Sequence, residues 1–135
     1  MVPMDDRTRE RLTTLRNALL KHHRRLLDSE KAIYERDVAR IETTGQYLNL
    51  VMSDPWFTWL RELSQFIVLI DEALVSKEPA TAADGDRLVA KARELILPAE
   101  NGSGFRHRYY EAMQRDPAVV LAHGDIMRVF AGLGE

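Results

Sequence analysis

The sequence predicts an all-α fold, a bundle of five or six helices with a long N-terminal helix and a central apolar one. Three observations predict it. Apolar residues recur at three- and four-residue steps through most of the chain, the spacing of one helical face. No segment alternates residue by residue as a half-buried strand does. Aspartate-proline pairs at Asp54-Pro55 and Asp116-Pro117 supply helix starts. There the carboxylate accepts from first-turn amides, and proline at the first helical position loses no hydrogen bond. A chain of 135 residues makes one domain, residues 1–135, large enough for a core without disulfides or metals.

Helix-favouring residues run from about Asp5 to Glu42 without proline or glycine. Leu12, Leu15, Leu19 and Leu26 keep a stripe that His22 or His23 fills at the missing turn, and the stripe then moves sideways to Leu27, Tyr34, Val38 and Ile41. A strict heptad would place Ser29, Arg36 and Arg40 in the core, so a long regular coiled coil is not expected. Either one helix bends, or two meet near Asp28-Ser29. As one helix the segment would be about 55 Å long, and a projecting end would need a partner, which points to a dimer.

Thr43-Thr44-Gly45 closes this segment, and Gln46 to Met52 forms a short helix. From Asp54 to Val75 runs the densest apolar stretch, holding both tryptophans, and the bundle is expected to assemble around it. Its stripe is Trp56, Leu60, Leu63, Ile67, Ile70 and Leu74. Thr81 caps a helix from Ala82 to about Ile96, and Pro98 ends it. The stretch Asn101-Gly102-Ser103-Gly104 is a linker. A short helix follows from Phe105 to Gln114, then the last from Ala118 to about Ala131. Gly124 inside that last helix points to a close helix–helix approach.

Composition bounds the function. Without cysteine there are no disulfides, thiol nucleophiles or thiolate metal sites, which fits a reducing cytoplasm. The start MVPMDDRTRERL lacks the apolar run of a secretory signal, and FIVLI at 66–70 is too short to span a bilayer. A soluble, cytoplasmic protein is expected, with no membrane partner. Net charge is −2, but ten basic residues against seven acidic up to Arg40 give way to two against eight from Ile41 to Asp86. The plainer reading is complementarity within the chain or between subunits. Nucleic acid is an unlikely partner, because the adjacent residues of His22-His23-Arg24-Arg25 diverge by about 100° on a helix and form no compact surface.

Three constellations could carry chemistry. His107 and Glu111, one turn apart, could offer nitrogen and oxygen to a metal as in haemerythrin-like bundles. His22, His23, His123, Glu30, Asp71 and Asp125 are the reserve of further ligands, but no Glu-x-x-His pair exists, and no cofactor is predicted. Arg61, Ser64 and Asp71 form a polar line on the second face of the central segment. It either fixes helix register or surrounds a small-ligand pocket. Arg106, Arg108 or Tyr109 are candidate partners for Asp71, and Glu111 or Asp116 for Arg61. Trp56, Phe57 and Trp59 cannot all face one way. Either one remains at a partner interface, or the neighbouring helices enclose all three.

The run LVMSDPWFTWLRELSQFIVLIDEAL, followed by FRHRYYEAMQRDPAVVLAH, resembles an uncharacterised family of small bacterial helical proteins with a DPWF-x-WLR-x-LS core. The resemblance implies a bacterial setting and no activity. The expectation is a non-enzymatic protein-interaction module acting as a homodimer. The alternative is a small-molecule- or metal-binding bundle, an enzyme among its forms, around Asp71, His107 and Glu111.

Overall fold

The computed structural model describes residues 3–134, which contain seven helices and no strand. They are α1 (Asp6–Asp37), α2 (Thr44–Ser53), α3 (Pro55–Thr58), α4 (Arg61–Val75), α5 (Ala82–Leu95), α6 (Phe105–Arg115) and α7 (Pro117–Leu133). No helix among the described residues is long and apolar enough to cross a membrane.

Asp5 starts α1 by accepting from the Thr8 amide at 2.7 Å. The helix then runs unbroken through Asp28-Ser29, about 48 Å at 1.5 Å per residue, so two helices do not meet there. It ends at Asp37, short of Glu42, where the Val38 and Ala39 amides share the Tyr34 carbonyl. Nor does its inward line move sideways. Leu12, Leu15, Leu19, His22, Leu26, Ser29 and Ile33 are all buried at alternating steps of three and four, whereas Val38 is exposed. Ser29 keeps a core position because its hydroxyl donates to Asp116, at the start of α7.

The bundle is built along α1, which packs against α3, α4, α5 and α7. Side-chain pairs fix the directions. Arg9 reaches the Leu74 carbonyl, Arg16 pairs with Asp71 and the Trp56 indole donates to the Glu30 carbonyl, so α3 and α4 run antiparallel to α1. Arg11 with Leu133, Arg25 with Asp125 and Ser29 with Asp116 place α7 antiparallel on another side. Several basic residues of α1 therefore meet acids within the chain, Arg11 on Asp86 and Arg16 on Asp71 among them.

The apolar segment from Asp54 to Val75 is two helices, which brings the count to seven where five or six were expected. Asp54 caps α3 and Pro55 opens it. At the junction the Leu60 amide bonds to Phe57 and the Leu63 amide to Leu60, a tightening to three-residue spacing. Phe57 and Leu60 are both buried across this turn, and α4 adds Leu63, Phe66, Ile67 and Ile70 to the core. Thr81 and Asp84 form a reciprocal capping box on α5. Gly104, at φ 86°, turns the chain into α6. Gly124 is not at a close approach, because a Cβ built there meets nothing within 4 Å.

Candidate functional site

Three polar residues that α1 turns inward, His22, Ser29 and Glu30, find partners on α6 or at the start of α7. His22 is 2% exposed, and its Nε2 lies 2.9 Å from the Tyr109 hydroxyl. That hydroxyl lies 2.7 Å from Nδ1 of His123. The three side chains form one hydrogen-bonded line from α1 through α6 to α7. Burial pushes the His22 pKa down to about 4, with smaller contributions from His123, Arg25 and His23. It also lowers His123 and raises the Tyr109 phenol. All three groups are held neutral near pH 7. A cavity of about 70 Å³ between α1 and α7, lined by Ala18, His22, Ala122 and Ile126, borders the line.

Two turns along α1, Glu30 is 1% exposed and pairs with Arg115 of α6. Burial raises its pKa and the Arg115 charge opposes the rise. The Arg115 guanidinium also stands 5.9 Å from the Trp56 ring centre. This arrangement locks α1, α3 and α6 together. It binds charge to charge inside the protein.

A different kind of surface is made by α2. Thr43 caps it by accepting from the Gln46 amide, and Arg61 donates to the Met52 carbonyl at 2.6 Å, satisfying one acceptor at its C-terminal end. Its sequence, TGQYLNLVMS, carries no charge, and none of its residues is buried. Tyr47 packs edge-on against Phe57 beneath the Lys31 ammonium. On the outer side Leu48 is 55% and Met52 70% exposed. Beside Met52 opens a groove of about 330 Å³ between α1, α2 and α4, with His23, Leu27, Val51, Arg61 and Ser64 on its walls.

These contacts place each predicted residue. Arg61 and Ser64 share that groove, but Asp71 does not join them. Asp71 pairs with Arg16 of α1 at 2.8 Å, and not with the basic residues or tyrosine of α6. The Met52 carbonyl takes the place expected for Glu111 or Asp116 as the Arg61 partner. His107 and Glu111 do meet, at 3.6 Å on α6, and a His107 ring nitrogen lies 3.3 Å from the Ala99 carbonyl. Among the described residues no three histidine, aspartate or glutamate side chains converge to hold a metal ion. Of the three aromatics, Phe57 is buried, Trp56 is tied to Glu30 and packs on Tyr34, and Trp59 packs on Phe105 with Arg108 over its ring.

No protein-family model, curated protein or solved structure matches this chain. The spacing of the sequence does not reveal the line His22–Tyr109–His123 as a unit. Its one sequence signal is that His22 sits at a core step of α1, which only a polar neighbour from another helix makes tolerable. Nothing in the spacing identifies that neighbour, 87 residues away.

Proposed function

We propose that this protein is a non-enzymatic interaction module that acts as a homodimer, with α2 as its docking element. One observation carries the reading: α2 is an uncharged helix whose Leu48 and Met52 are exposed, with Tyr47, Leu50 and Val51 only half-buried by their own chain. Centres of protein interfaces are depleted of charge and enriched in apolar side chains such as methionine. Apolar groups gathered on one exposed element mark such a surface more clearly than scattered ones do.

The basic residues of α1 favour this reading over nucleic acid, because Arg11, Arg16 and Arg25 are already paired with Asp86, Asp71 and Asp125. A cytoplasmic setting accompanies the proposal, supported by the lack of cysteine; a bacterial one is only what the resemblance of the DPWF-x-WLR-x-LS core implies.

Sedimentation equilibrium over a range of protein concentrations tests it. A dimer that Leu48→Glu converts to a folded monomer is the expected result. A wild-type chain that stays monomeric at high micromolar concentration overturns the reading.

A further inference from the structure

Gly45, Leu48, Asn49 and Met52 follow one another at helical steps along the outer face of α2, and all four are exposed. Leu48 and Asn49 are the midpoint of that line. Gly45 lies within the first turn of the helix. A Cβ built on it meets nothing within 4 Å, so no contact inside the chain requires the missing side chain. The two ends of the line also differ in charge. Glu42 precedes the helix at one end, and the Arg61 guanidinium rests on the Met52 carbonyl at the other.

We infer that a second copy of this chain docks on this face about a two-fold axis through Leu48 and Asn49, with the two α2 helices antiparallel. The inference rests on the homodimer reading above and specifies its contact. A two-fold contact uses the same patch on both copies, so the patch must be complementary to itself. The line on α2 meets that condition. Turned end for end about its midpoint, it brings Met52 over the partner's Gly45, whose absent side chain leaves the hollow that the thioether fills. The same operation sets Arg61 against the partner's Glu42 at each end. Between them lie only uncharged residues, so no like charges are forced together. Antiparallel alignment also opposes the two helix dipoles. About 15 Å of helix separates the two ends, which fixes the spacing of the paired charges.

Sedimentation equilibrium on the full chain tests the arrangement through charge reversal and through the hollow. Glu42→Arg and Arg61→Glu alone are each expected to raise the dimer Kd about fivefold, and the double variant to return to within about twofold of wild type. Gly45→Leu fills the hollow, and is expected to weaken the dimer at least about tenfold while circular dichroism shows the helices intact. A dimer indifferent to Gly45→Leu, or single reversals that the double variant does not rescue, overturns this contact and leaves the homodimer standing on another surface. A monomeric wild-type chain overturns both.

Discussion

His22 of α1 and Tyr109 of α6 share a buried hydrogen bond of 2.9 Å. The same hydroxyl reaches His123 of α7 at 2.7 Å. A phenol has one proton to give, so with both imidazoles neutral one ring nitrogen must donate to it and the other accept from it. The bond therefore joins three helices through one atom. Tyr109→Phe keeps the ring's stacking on Phe105 and removes only that atom. The His22 nitrogen would be left buried without a partner, at an expected cost of about 1 to 3 kcal/mol. Urea unfolding checks this: the midpoint falls and the m-value stays constant. An unchanged midpoint would show that the three groups are not bonded as described.

Stability should weaken in mild acid because of the same residue. The folded-state pKa of His22 is about 4, against an ordinary value of 6.5, with burial the main cause. A depressed value means that the folded state resists a proton which the unfolded chain accepts. The His22 contribution is complete above about pH 6.5, declines as pH falls, and is gone below about pH 4. Between pH 6.5 and 5 the loss from this residue is of order 2 kcal/mol. Glu30, whose pKa is raised by burial, works in the opposite sense and favours folding at low pH. The difference between wild type and His22→Leu across a pH series of urea unfolding curves isolates the histidine. Parallel profiles for the two proteins would contradict the assignment.

The pair Glu30–Arg115 is expected to matter more when broken than when replaced. Among the described residues Oε2 of Glu30 is buried without a hydrogen-bond partner, so Arg115 is its main compensation. Arg115→Met leaves that carboxylate in the core, at an expected cost of about 3 kcal/mol, the lower end for a buried pair because a third of the arginine side chain is exposed. Adding Glu30→Gln should recover part of the loss, since the stranded charge is then gone. A double-mutant cycle at pH 7 measures both, and a cost under about 1 kcal/mol for Arg115→Met would show the charge to be solvated.

What the sequence made legible were the features decided locally. Asp54-Pro55, Asp116-Pro117 and Thr81 begin helices because their partners are amides two or three residues on. The leucines of α1 are buried because their spacing alone forms a face. The sideways drift expected after Leu26 fails for the opposite reason. Ser29 and Glu30 look unfit for a core until Asp116 and Arg115 arrive from a distant helix to satisfy them. Asp71 and Arg61 stand out in the sequence as needing partners, yet those partners are Arg16 and a main-chain carbonyl. Spacing along one helix cannot identify a partner on another. The exposure of α2 was hidden too, since five apolar residues in ten read as core, whereas the packing half-covers Tyr47, Leu50 and Val51 and leaves Leu48 and Met52 outside.

Two glycines separate packing from propensity. Gly85 of α5 faces α1, where an added Cβ would come within 3.3 Å of the Thr8 methyl group. Thr8 is itself buried and bonded to Asp5, so its side chain has little freedom to withdraw. Gly124 of α7 has no such neighbour. Replacing glycine by alanine inside a helix gains about 1 kcal/mol when nothing obstructs the methyl group. Gly124→Ala should therefore stabilise the protein by up to that amount. Gly85→Ala should gain nothing or lose stability, and combining it with Thr8→Ser, which removes the obstructing methyl while keeping the hydroxyl, should restore the gain. Thermal unfolding of the three variants checks the order. Equal stabilisation by Gly85→Ala and Gly124→Ala would mean that α5 can move away from α1 at no cost.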